Sequence, residues 1–129
     1  MVERAPDPGT GETMNASCIF CRIAAGEIPS PRVYEDEHLF VIRDINPAAP
    51  VHLLVIPREH VESVGALEER HAELAGRLLL AVRRVAEQEG IAGSGFRMVA
   101  NTGREGGQTV PHLHLHVLGG RQLTGHGTA

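Results

Sequence analysis

Near the C-terminal end, His112, His114 and His116 alternate with Leu113, Leu115 and Val117. A β-strand sends successive side chains to opposite faces. This spacing therefore puts three imidazoles on one face, about 6.5–7 Å apart along the strand, and the apolar residues on the other. An imidazole titrates near neutrality and serves as nucleophile, proton donor or metal ligand. Three roles are open: a solvated polar face of an edge strand, a metal site, or nucleophilic and acid–base chemistry. The chain holds 8 histidines and 12 basic residues, and every one of the latter is arginine. Without lysine, a Schiff-base lysine, a lysine general base and a P-loop lysine are excluded.

Immediately before this strand lies the loop NTGREGGQTVP, residues 101–111. Gly106 and Gly107 permit close backbone approach to an anion, and Asn101, Gln108 and Thr109 carry groups that can donate to phosphoryl oxygens. Such a loop beside three imidazoles suggests a site for phosphoryl chemistry. Far away in sequence, Cys18 and Cys21 have the spacing of half a zinc site and need two further ligands.

The 129 residues amount to one domain, and 42% of them are hydrophobic, enough for a packed core. A formal charge of −4, a pI near 6.0 and only 3% aromatics without tryptophan argue against a nucleic-acid surface. No apolar run reaches the ~20 residues a membrane span needs. Residues 1–17 read as a disordered polar lead-in without the apolar core of a signal peptide. Two closely spaced cysteines make no disulfide framework and suggest a reduced, cytoplasmic setting.

These groups need a scaffold. Residues 18–25 predict one or two helical turns ending at Gly26, and 32–34 a short strand. Residues 38–43 and 51–56 read as strands that pair as a hairpin, punctuated by Asn46-Pro47 and stopped by Pro57. Residues 68–89 predict the one long helix. Leu74, Leu78, Val82 and Val85 form its apolar stripe, Glu68 and Glu69 sit at its start and Gly90 at its C-terminal cap. Strands follow at 96–101 and 112–118. Without βαβ alternation the fold class is α+β: about five antiparallel strands, one long helix and a short N-terminal helix.

The segment QTVPHLHLHVLGGR, residues 108–121, resembles the signature of the histidine triad (HIT) family, His-φ-His-φ-His-φ-φ with φ apolar. DINPAAPVH (44–52), LVIP (54–57) and FRMVAN (96–101) are similar to its nucleotide-binding Hint branch. The likeness implies a HIT-like domain over residues 18–123, followed by a tail from 124 to 129. It also implies hydrolysis of purine nucleoside phosphoramidates, of AMP-lysine or aminoacyl-adenylate type, through a covalent nucleotidyl-histidine.

By this resemblance His114 is the nucleophile, and His116 bonds the phosphoryl oxygen or leaving group. His52 is a fourth histidine supporting the phosphate site, and His112 completes the catalytic set. A histidine at 116, where transferase relatives have glutamine, favours hydrolysis. Asn101, Gly107, Gln108 and Thr109 match the phosphate loop, and Asp44 matches the carboxylate that holds the ribose hydroxyls. Ile19, Phe20, Ile23, Ile28, Ile42, Ile45 and Leu54 match the base pocket. The chain departs from the pattern at Thr109, where serine is usual, and at Pro111 and Ile42, where aromatics are common.

The resemblance further implies a structural zinc held by Cys18, Cys21, His60 and His112, and a homodimer joined across the long helices and the 96–101 strands. Other readings are a nucleotide-binding interaction protein with little turnover, a dinucleoside polyphosphate hydrolase, and a catalytic zinc enzyme using His112, His114 and His116. His38, His71 and His126 receive no role, and His71 is expected to be solvated.

Overall fold

The computed structural model describes residues 17–125. Nearly all of the expected lead-in, His126 and the tail beyond it lie outside the described residues. Helix α1 (Ile19–Ala24) is a six-residue turn and a half. The Cys18 Sγ caps it by accepting from the Cys21 N–H at 3.3 Å. Three strands follow: β1 (Tyr34–Glu35), β2 (Leu39–Arg43) and β3 (Val51–Pro57). Helix α2 (Ala72–Gln88) then leads to β4 (Phe96–Val99) and β5 (Leu115–Gly119). All pairings are antiparallel, in the spatial order β1-β2-β3-β5-β4. The α+β expectation of a five-stranded antiparallel sheet with one long and one short helix is met.

Period-two alternation divides the sheet into two apolar faces. Leu39 and Val41, Leu53 and Val55, and Leu115 and Val117 point toward α2, where they meet Leu78, Ala81, Val82 and Val85. Leu74 packs at the margin of this cluster. On the other face Phe40, Ile42, Leu54 and Ile56 receive Phe20 and Ile23 from α1. The imidazoles share this second face, so burial of Leu113, Leu115 and Val117 against the helix side aims the histidines away from it.

Several boundaries differ from expectation. The first strand lies at Tyr34–Glu35, where it pairs with Val41 and Phe40 of β2, and the Val33 N–H leads into it by donating to the Val41 carbonyl at 2.8 Å. The long helix begins at Ala72, not 68, because Glu69–His71 forms a 3-10 turn in front of it. There the His71 Nδ1 accepts from the Glu68 N–H at 2.9 Å, and its Nε2–H donates to Glu59 at 3.1 Å. His71 is therefore buried, which corrects the expectation of a solvated ring. Strand β4 ends at Val99, short of Asn101.

Strand β5 starts at Leu115 because the preceding backbone bonds elsewhere. The His112 N–H donates to Val110 at 2.8 Å and the Leu113 N–H to Val61 at 2.7 Å. His112 and His114 thus stand on an extended lead into the strand, while His116 sits in the ladder opposite Leu54. At the other end of α2, Gly90 has φ +77°, the left-handed conformation that stops a helix.

Candidate active site

The site grows from two adjoining strands and the segments that enter them. Strand β3 brings His52, strand β5 brings His116, and the lead into β5 brings His114 and His112. All four rings are buried. The His114 and His116 rings lie 5.1 Å apart, and the His52 and His116 rings 5.2 Å apart. Phe20 of α1 presents its ring edge-on to both His114 and His112, at 5.1 and 5.7 Å.

Hydrogen bonds to backbone groups determine where each ring carries its proton. A backbone N–H only donates, and the Ala48 N–H donates to the Nδ1 of His52 at 2.9 Å. Neutral His52 therefore carries its hydrogen on Nε2, which lies 2.9 Å from the Nδ1 of His116. His116 accepts there and must carry its own hydrogen on Nε2. That nitrogen is buried and has no hydrogen-bond partner among the described residues. A buried donor left unpaired is costly and marks a place where an acceptor is meant to arrive.

For His114 the polarity is reversed. Its Nδ1–H donates to the His112 carbonyl at 2.7 Å, so the lone pair sits on Nε2. Burial holds His114 and His52 below the ordinary histidine pKa. His116 is pushed down to about 4, first by burial and then by its like-charging neighbours His114 and His52, with Asp44 pulling the other way. At neutral pH His52, His114 and His116 are thus neutral imidazoles, His114 with an available lone pair and His116 with an available N–H.

The loop of residues 101–111 lies before the imidazoles and is tightly built. A Cβ on Gly106 would overlap the carbonyl oxygen of Thr102, and Gly107 has φ +84°. Gln108 braces this turn from within. Its carbonyl oxygen accepts from the Gly103 N–H at 2.8 Å, and its amide nitrogen donates to Glu62 and Val110 at 2.7 and 2.9 Å. In this arrangement Gln108 shapes the loop, and both of its amide hydrogens are engaged. A cleft lined by Ile19, His60, Thr109, Val110 and Pro111 runs beside it.

Of the expected base-pocket residues, Phe20, Ile23, Ile42 and Leu54 come together, with Ile28 at their edge. Ile19 is half exposed and Ile45, at 91% exposure, stands apart from this cluster. Asp44 follows β2 directly. Its Oδ1 accepts from the Asn46 N–H at 2.8 Å, and its Oδ2 lies 3.4 Å from the His52 Nε2.

A second cluster joins the N-terminal segment to the sheet. Cys18, Cys21, His60 and His112 bring one ligand atom each within 4.8 Å of one another. The His112 Nδ1 lies 3.2 Å from both the Cys18 Sγ and the His60 Nδ1, and 3.6 Å from the Cys21 Sγ. The Cys21 Sγ lies 3.3 Å from the His60 Nδ1. Tetrahedral bonds of ordinary Zn–N and Zn–S length place ligand atoms ~3.3–3.8 Å apart, so the spacing fits a four-coordinate ion. The proton of His112 is already fixed on Nε2 by the Pro57 carbonyl at 2.9 Å, which turns the Nδ1 lone pair toward the cysteines. The neighbouring Cys21 thiol pulls the Cys18 thiol far below the usual range, so a thiolate is favoured there.

Some groups that matter carry no side-chain signal in the sequence. The Ala48 N–H and the carbonyls of Pro57 and His112 set the ring tautomers, and only the folded backbone places them.

Residues 25–123 match the family model of the HIT domain. The chain is similar to the purine nucleoside phosphoramidase of Escherichia coli (strain K12), 44% identical over 110 residues that span 85% of this chain and 92% of the relative. It is 49% identical over 107 residues to the 14 kDa zinc-binding protein of Zea mays, covering 81% of this chain and 83% of that one. Among solved structures, the HIT family hydrolase from Clostridium thermocellum superimposes with a TM-score of 0.84 at 45% identity, covering 88% of this chain and 98% of that one.

Proposed function

The chain belongs to the HIT family, and on that footing we propose that it is a nucleotide hydrolase that splits purine nucleoside phosphoramidates through a nucleotidyl-histidine on His114. The observation that carries this reading is the fixed tautomer of His114. Its Nδ1–H is committed to the His112 carbonyl at 2.7 Å, and its Nε2 lone pair is left to attack.

In the first step the Nε2–P bond forms as the P–N bond to the leaving amine breaks, and the amine takes up a proton. The nucleotidylated ring is cationic, and its retained Nδ1–H shares that charge with the His112 carbonyl. In the second step water attacks phosphorus, the N–P bond returns its electron pair to His114, and the water gives up a proton. Proton uptake and release balance over the cycle. The unpaired His116 Nε2–H serves the phosphoryl oxygen or leaving group, where negative charge gathers in each step. Phe20 walls the nucleophile on one side and keeps water from that edge of the ring.

Asp44 offers a carboxylate to the ribose hydroxyls, and the apolar cluster around Ile42 and Leu54 offers a surface to the purine. Cys18, Cys21, His60 and His112 would hold zinc. Zinc bound by two cysteines and two histidines supplies a closed structural cross-link. The chemistry of His114 does not run through it.

Two chains pairing along the open side of the molecule complete the reading. Strand β4 is an edge strand whose Phe96 and Met98 are exposed, as are Leu79 and Leu80 on α2. Apolar residues concentrated on one edge and one helix face suit a homodimer. A reducing compartment, the cytoplasm, suits the free Cys18 and Cys21.

The test is release of nucleoside monophosphate from an adenosine phosphoramidate. Turnover by the wild type and at least a hundredfold lower turnover by His114→Ala are expected. Equal turnover by the two proteins would discard the reading.

A further inference from the structure

We propose that Asp44 also positions the His52–His116 pair, a role separate from ribose binding that rests on the reading above. Two backbone facts put it there. The Asp44 N–H donates to the His52 carbonyl at 3.0 Å, so the two residues are tied across neighbouring strands. The Asn46 N–H holds the Asp44 Oδ1 at 2.8 Å, which turns Oδ2 toward His52, 3.4 Å from its Nε2.

The His52 Nε2–H bonds the His116 Nδ1 at 2.9 Å, and the Asp44 Oδ2 lies 3.4 Å from the same nitrogen as an electrostatic neighbour. The Ala48 N–H holds the opposite side of the ring. Three fixed points define the tilt of His52, and that tilt aims the unpaired Nε2–H of His116. The carboxylate also places a negative charge beside an imidazole cluster that becomes cationic once His114 is bonded to phosphorus.

Only a residue with two acceptor oxygens fills this place. Asparagine has one. In Asp44→Asn either the Asn46 N–H or the His52 Nε2–H meets an amide N–H, and the negative charge is gone. The consequence falls on the chemical step and not on substrate binding alone.

A substrate lacking the ribose hydroxyls separates the two roles of Asp44. With the phosphoramidate of 2′,3′-dideoxyadenosine, the wild type and Asp44→Asn have both lost the ribose contact. If Asp44 served ribose only, their kcat values would be equal. The expected result is a kcat at least about tenfold lower in Asp44→Asn, with KM unchanged. Equal kcat would overturn the proposal.

Proton NMR of the histidine ring N–H groups, assigned through 15N, reads the same contact without turnover. It decides the matter if no phosphoramidate is cleaved and the enzymatic reading itself fails. The His52 Nε2–H is expected to exchange slowly with water in the wild type and to broaden in Asp44→Asn. A wild-type His52 Nε2–H that exchanges as fast as a solvated histidine overturns the proposal, whether or not the variant folds.

Discussion

The Nε2 of His52 lies 2.9 Å from the Nδ1 of His116, and the proton between them belongs to His52. The direction follows from the Ala48 N–H at the other nitrogen of His52. Through this single bond a loop amide determines that His116 faces the reaction as a donor. Removing His52 frees His116 to adopt the other tautomer. In His52→Ala, kcat is expected to fall by about tenfold or more, while the nucleotidyl group still forms on His114. Steady-state assays paired with intact mass of the quenched protein check both halves.

Stability should fall on mild acidification. The unfolded chain protonates His116 near the ordinary pKa of ~6.5. The folded protein does so only at about 4. Between these values the unfolded state holds more protons, so stability is full above about 6.5 and is lost as pH falls toward about 4. Burial shifts His52 and His114 in the same direction. Urea denaturation at stepped pH should show this slope, and His116→Gln should make it shallower. An unchanged slope in that variant would mean that His116 is not held neutral by the fold.

Metal should contribute to stability. Protein purified without chelator or affinity tag is expected to carry about one zinc per chain by mass spectrometry. Cys21 is fully buried at the centre of the ligand cluster. Cys21→Ser should lose the metal, and its Tm should drop by about 10 °C or more. Absence of stoichiometric zinc from the wild type would remove the metal from the account and leave two buried thiols.

The open edge makes a further demand. Met98 is exposed at the middle of β4, an edge strand with no partner on its outer side among the described residues. Met98→Arg is expected to convert a dimer to a monomer in analytical ultracentrifugation. A wild type that sediments as a monomer at micromolar concentration would contradict the pairing.

Much of this molecule was legible in the sequence, and the exceptions share a cause. The alternation of His112, His114 and His116 with Leu113, Leu115 and Val117 assigned both faces of the last strand correctly, because burial enforces a period of two. The stripe of Leu78, Val82 and Val85 located the core face of α2 for the same reason. The misses depend on partners that only the folded chain supplies. Strand β5 begins late because Val61 takes the Leu113 N–H, and no local pattern foretells that bond. A place at a helix start suggests a solvated ring for His71, yet its Nδ1 accepts from the Glu68 N–H and its Nε2–H donates to Glu59. Gln108 lies in the expected loop, and its amide bonds the Glu62 and Val110 carbonyls, contacts that no local sequence pattern could give.

The most direct test is rapid quenching during turnover of an adenosine phosphoramidate, followed by intact mass and peptide mapping. The wild type is expected to carry one adenylyl group, mapped to His114, and His114→Asn none. An adduct on another residue, or undiminished turnover by His114→Asn, would contradict a nucleophilic His114.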